Sequence, residues 1–277
     1  MGKRTAFKYG RGRCIFCERQ PPEVKLSKEH VFADWLRAIF PRSDKITHTL
    51  GYVNWTTAPG KSRPTITAKR GQGHSGSKKV RAVCRSCNET WLSNDIEDAA
   101  KLILIPLMAN QAVILNVEMQ WRLARWAAKT VMTCEQIDPT RAVVHQPERT
   151  WLMQNLAPPE GWNIWIGSYV GTDWRELGIY QHLGKLAVPS INHDATIEHN
   201  LQLTIIGMGH LLFLVINSSW SRIWDILDRM GSPNSLGLAR IWPIREPMIS
   251  WPRPFSLNDR DAQYFATYLA RVLQQPV

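Results

Sequence analysis

The sequence predicts an α+β protein in two parts: a metal-stapled, basic segment over residues 1–100 and a mixed α+β segment over residues 101–277. Three observations carry this expectation. Two C-x2-C pairs, Cys14/Cys17 and Cys84/Cys87, bracket most of the first part. Residues 1–100 hold 19 Lys/Arg against 9 Asp/Glu, a net of +10, whereas the remaining 177 residues carry only +1. After residue 100 the apolar pattern also changes, from short interrupted runs to sustained helical and strand periods.

With 277 residues and 44% hydrophobic composition the chain can bury a sizeable core. Its strongest apolar stretches, residues 102–109 and 211–216, are far shorter than the roughly 20 residues a membrane-crossing helix needs. The start, Met1-Gly2-Lys3-Arg4-Thr5-Ala6, is basic with no apolar run behind it, so it does not read as a signal peptide, and Ala6 breaks the myristoylation pattern. A cytoplasmic, reducing location is expected, with no membrane partner and with the five cysteines as thiols or metal ligands. The concentration of positive charge at one end points to a polyanion, nucleic acid first.

The elements follow in order. Residues 1–13 are a basic, Gly-containing arm. A short extended stretch follows Cys17, then an amphipathic segment from Val31 to Phe40 that Pro41 ends. Residues 44–83 alternate Thr, Val and Ile with Gly, Pro and Ser, the mark of strands and loops, and residues 69–79 form a Gly-rich basic tip. The second cysteine pair opens a helix running through Trp91, Ile96 and Ala100. Trp121, Ala124, Ala128 and Val131 stand at helical spacing within Glu118–Cys134, and Trp162–Val170 alternates as a strand. A hairpin over residues 201–216 should turn at Gly207-Met208-Gly209-His210. Two further helices are expected at Trp220–Met230 and Asp259–Leu273, the last capped by Ser256 or Asn258.

Each cysteine pair has the bite of two thiolates on one tetrahedral ion, and the 66 residues between the pairs allow the four to close one structural zinc site. A charged, Gly-rich segment of this size has little core, so a metal would supply folding free energy that burial does not. The alternatives are four unrelated cysteines or a redox pair. The latter lacks a βαβ setting.

Between and beside the pairs, Glu29-His30 follows a short strand, and Asn88 follows Cys87 directly at a helix start. The pattern C-x2-C…E-H…C-x2-C-N, over about residues 13–100, resembles the HNH endonucleases. The run from Cys84 to Glu97 is similar to a bacterial subgroup with a larger C-terminal region, whose K-x-x-L-x-P, W-A-x-K, I-W-P and W-P motifs stand here at Lys101–Met108, Trp126–Lys129, Ile241–Pro243 and Trp251-Pro252. The resemblance implies a ββα-metal N-terminal module hydrolysing DNA phosphodiester bonds. It implies His30 as general base, with Glu29 and Asn88 holding a catalytic Mg²⁺ or Mn²⁺. The family's middle Asn has one candidate, Asn54, the only Asn between Glu29 and Asn88. Leu92 stands where some members place a second helix His.

Lys61, Arg63, Lys69, Arg70, Lys78, Lys79, Arg81 and Arg85 form the candidate nucleic-acid face; the bland alternative is a solvated surface. His74 in the Gly-rich loop is a weaker candidate ligand or phosphate contact. His145, His182, His193 and His199 have no partner motif, and Cys134 reads as a buried small hydrophobe. Ten of the 13 Trp follow residue 100 and serve either as core or as a base-stacking surface. Trp162 and Trp165, an odd step apart, should face opposite sides of a sheet, so that one could be core and the other exposed. Trp91 is expected to pack under its helix. Three functions compete: an HNH endonuclease acting on DNA, by analogy in defence against foreign or base-modified DNA; a zinc-stabilised nucleic-acid binder without cleavage; and an RNase on the same fold. The oligomeric state is left open, a homodimer included.

Overall fold

A computed structural model describes residues 12–41, 47–54, 65–72, 77–184, 201–218, 224 and 233–272; of residues 47–54, 65–72, 141, 180, 182–184, 235 and 268–272 it describes the backbone alone. The chain is mixed α+β. Strand β1 (Leu26–His30) pairs antiparallel with β4 (Lys79–Cys84), with a bulge between Ser27 and Glu29. Between them lie the short helix α1 (Leu36–Ile39) and the hairpin β2 (Thr47–Asn54) and β3 (Thr65–Gln72). The amphipathic segment expected at Val31–Phe40 therefore condenses to one helical turn. Its apolar residues Val31, Phe32, Ala33 and Leu36 are buried all the same.

From Cys84 a helix runs without interruption through α2 (Arg85–Cys87), wider π-helical turns over Asn88–Asp98, and α3 (Ala99–Met108). Strand β5 (Val113–Asn116) leads into α4 (Val117–Cys134), whose first turn is capped by Asn116 Oδ1 accepting from the Met119 amide at 2.9 Å. From Leu123 onward every residue of α4 is buried. Helix α5 (Gln146–Asn155) follows.

The main sheet has eight strands. Its order is β10 (Ala239–Trp242), β6 (Trp162–Tyr169), β9 (Leu211–Ser218), β8 (Leu201–Met208), β7 (Gly178–Gly184), β2, β3, with β12 (Ser256–Leu257) beside β6. The β2–β3 hairpin extends the sheet beyond β7, so strands from either side of residue 100 share one hydrogen-bonded layer. A separate pair joins β5 to β11 (Met248–Trp251).

Strands β6, β8 and β9 are buried along their whole length because both faces of the sheet are covered. Trp162, Ile164, Ile206, Phe213 and Val215 pack in the core that contains Trp126 of α4. Trp165, Leu203, Ile205, Leu212 and Leu214 pack with Ala262, Phe265 and Ala266 of the last helix, α6 (Asp259–Val272). Trp162 and Trp165 do face opposite sides, but neither is exposed: the second face is roofed by α6. The 201–216 hairpin turns where expected. Gly209 there has φ +58°, and an added Cβ would lie 2.5 Å from the Met108 carbonyl oxygen. Asn258 caps α6, its Oδ1 accepting from the Arg260 amide at 2.9 Å. The helix expected at Trp220–Met230 lies outside the described residues apart from Trp224.

Candidate metal centre and the histidine that ends β1

The two halves of the cysteine cluster are brought together by the β1–β4 pair. Cys84 is the last residue of β4, and Cys87 lies in the first turn of the helix that leaves it. Cys14 and Cys17 sit on a tight turn closed by the Glu18 amide donating to the Cys14 carbonyl at 2.9 Å; the Ile15 amide docks this turn on β4 by donating to the Ala82 carbonyl, also at 2.9 Å. The four Sγ atoms all lie within 4.8 Å of one another, with Cys17 and Cys84 3.6 Å apart. Tetrahedral zinc with Zn–S arms of ~2.3 Å separates its sulfurs by roughly 3.8 Å, so the spacing fits a metal and is far too long for a disulfide.

The electrostatics agree. The hydrogen bond from Cys87 holds the Cys14 thiol down at about 4. Donating that bond, together with burial, pushes Cys87 far up, and burial raises Cys84. A divalent cation held by the four sulfurs would favour their thiolate forms. The cluster is compatible with a structural metal such as zinc, and among the described residues it is the only group of three or more Cys, His, Asp or Glu side chains that could share an ion.

His30 is the last residue of β1 and stands across from Lys79 on β4. Its Nε2 is 3.1 Å from Asp34 Oδ1, close enough for charge attraction but without the alignment of a hydrogen bond. Burial and then the Lys79 ammonium hold the imidazole below its usual pKa, with Asp34 acting in the opposite sense. Asp34 itself is drawn down chiefly by Arg37, whose Nη1 is 2.9 Å away.

Glu29, one residue earlier, points the other way. It is only 4% exposed, and its Oε1 lies 2.6 Å from Nζ of Lys129, a fully buried residue of α4. The same ammonium meets Glu97 Oε1 at 2.7 Å. Desolvation raises the Glu29 pKa against the pull of Lys129, and the two carboxylates raise Lys129 although burial alone would lower it. Asn88 Nδ2 donates to Ser27 Oγ at 3.2 Å, which ties the helix start to the beginning of β1. Glu29 and Asn88, expected to share an ion, are thus engaged with different partners.

Lys78 lies just before β4, along which Val80 and Ala82 are buried while Lys79 and Arg81 are exposed. Arg85 pairs with Glu89 at 2.7 Å. Lys61, Arg63 and His74 lie outside the described residues, as do the side chains of Asn54, Lys69 and Arg70. Trp91 packs edge-on against Phe16, with ring centroids 5.0 Å apart. Of the later tryptophans, Trp126, Trp162, Trp165 and Trp251 are core residues, and Trp151 is 48% exposed. His145 caps α5, and Cys134 is buried.

Sequence reasoning missed an ionic triad, buried Lys129 with Glu29 and Glu97, and a buried ion pair, Arg149 with Glu135. The first had a signal. Lys129 stands inside the run Trp126-Ala127-Ala128-Lys129-Thr130-Val131-Met132, a cation in an otherwise inward helix.

Compared with known proteins, the chain matches no family model, no curated protein and no solved structure. No helix among the described residues is long and apolar enough to cross a membrane.

Proposed function

We propose that the chain is a metal-dependent endonuclease of the HNH kind, hydrolysing DNA phosphodiester bonds, with its N-terminal ββα unit braced by a four-cysteine zinc. One juxtaposition carries this reading. A histidine ends β1, its partner strand β4 lies beside it, and a helix leaves β4 through Cys87 and Asn88; the cysteine cluster pins the Leu26–Cys84 end of this strand pair, where Asn88 meets Ser27, three residues before His30.

His30, kept neutral near pH 7 by its lowered pKa, would accept the proton of a water attacking the phosphorus. The water oxygen bonds to phosphorus, the bond to the leaving sugar oxygen breaks, and that oxygen takes a proton from solvent. A bound Mg²⁺ or Mn²⁺ would supply charge stabilisation on the phosphate and the leaving oxygen, with the Asn88 side-chain carbonyl as its donor on the helix. Glu29 does not fit an open ligand position while Lys129 holds it. Lys79 and Arg81 would meet backbone phosphates. A defence role against foreign or base-modified DNA is part of this reading by analogy.

The engagement of Glu29 by Lys129 favours a second reading, a zinc-stabilised nucleic-acid binder without cleavage. Incubating supercoiled plasmid, linear duplex and RNA with the protein in Mg²⁺, Mn²⁺ or chelator separates the readings. Cleavage of DNA that His30→Ala lowers by about 100-fold or more supports the nuclease. Binding without cleavage supports the second reading, and cleavage confined to RNA makes the protein an RNase.

A further inference from the structure

Lys129 has 0% side-chain exposure and sits at the junction of three elements: α4, which carries it; β1, through Glu29; and the helix after the cysteines, through Glu97. Burying an ammonium costs several kcal/mol before its partners are counted, and well-packed apolar residues often replace such a triad at no loss of stability. What the ions add is direction. Charge-assisted bonds of 2.6 and 2.7 Å fix where the Glu29 and Glu97 carboxylates stand.

That direction matters at β1. The strand has five residues, pairs with β4 alone among the described strands, and carries a bulge between Ser27 and Glu29. Two cross-strand pairs, Glu29 with Val80 and His30 with Lys79, hold its end, followed by the Val31 amide donating to the Lys78 carbonyl at 3.0 Å. A ladder this short, broken by a bulge, sets the register with few hydrogen bonds, so a side-chain tie from outside the pair adds to what holds the end of the strand. Glu29 is the last side chain before His30, and it is clamped from the far side by α4.

We propose that Lys129 is a positioning residue: through Glu29 it fixes the end of β1 and so the placement of His30, while through Glu97 it holds the helix bearing Asn88 in the same frame. This rests on the nuclease reading for its functional meaning. It assigns Glu29 to the clamp and not to the catalytic ion. It also gives residues beyond 100 a direct part in assembling the site.

The test uses the full chain. Lys129→Met alone strands the buried Glu29 carboxylate and the half-buried Glu97 carboxylate and can fail to fold, so the decisive variant is the neutral triple Lys129→Met/Glu29→Gln/Glu97→Gln, with Glu29→Gln beside it. The triple variant is expected to keep its zinc content and DNA Kd while kcat falls about 100-fold, the scale of a ~1 Å misplacement. Amide exchange at His30 and Val31 should quicken, and the Mg²⁺ concentration for half-maximal rate should not move. Unchanged kcat and unchanged exchange would overturn the proposal, because the triad would then only fill space. Glu29→Gln that regains full rate at high Mg²⁺ would overturn it too, making Glu29 an ion ligand. If the parent chain cleaves nothing, the nuclease reading fails by itself, and the exchange rates still decide whether the clamp holds the strand.

Discussion

Arg149 Nη2 meets Glu135 Oε2 at 2.7 Å with both side chains wholly buried, behind the turn that follows α4. The amides of Val143 and Val144 donate to the same carboxylate, and Arg149 Nη1 also donates to the Met132 carbonyl, so the pair closes the connection from α4 to α5. Arg149→Met leaves the carboxylate without its cation and should cost about 3–5 kcal/mol at pH 7, read by urea denaturation.

The pH dependence of this pair has a definite sign. Burial raises Glu135 to about 7 from its ordinary 4.5, so the folded state binds its proton more tightly than the unfolded state does. The stability this contributes is complete below 4.5 and is lost as pH rises toward 7. The penalty of Arg149→Met should therefore shrink as pH falls from 7 to 5, because the raised pKa lets the stranded carboxyl take up a proton. A penalty equal at both pH values would show that Glu135 ionises normally.

The cysteine cluster makes a second expectation quantitative. One metal ion per chain should appear by elemental analysis of protein purified without chelator. Structural zinc in small domains is worth on the order of 10 kcal/mol, so Cys87→Ser or exhaustive chelation should unfold the segment around β1, β4 and the Cys14–Cys17 turn. A chain that melts at the same temperature with and without chelator would exclude a structural metal here.

How far the sequence foretold these features depends on the range of the interaction. The cysteine spacing, the α4 period and the Gly209-His210 turn were legible because each is written within a few consecutive residues. The pairing of β7 with β2 was not, since nothing local links Gly51 to His182. Trp165 shows the same limit: strand alternation set it on the side opposite Trp162, but whether that side meets water depends on α6, nearly 100 residues away. Glu29 was assigned by the motif around it, whereas its partner Lys129 comes from a helix 100 residues later.

His30 carries a prediction about rate. Burial and the Lys79 ammonium lower its pKa from the ordinary imidazole value, so the acid limb of kcat/KM should fall on the acid side of that value. Lys79 pushes this pKa down and Asp34 pulls it up, which fixes the direction of two variants. Lys79→Ala should move the limb to higher pH, and Asp34→Asn should move it lower. Shifts in the opposite senses, or a limb indifferent to both, would mean that another group is the base.

Exposed cations on β4 give the last prediction. Lys79 and Arg81 project outward while Val80 and Ala82 turn into the core, so changing the two cations leaves the packing alone. If they contact phosphates, each removes about 0.9 from the slope of log K against log salt on duplex DNA. Arg81→Glu should weaken binding to unrelated sequences about equally and flatten that slope. Arg85→Glu should do less, because Arg85 already pairs with Glu89 at 2.7 Å and brings less free charge to the surface. Titrations of two unrelated duplexes at several salt concentrations read both effects. If Arg81→Glu instead weakened one sequence alone and left the slope intact, the strand would be reading base edges, and the phosphate path would lie elsewhere on the molecule.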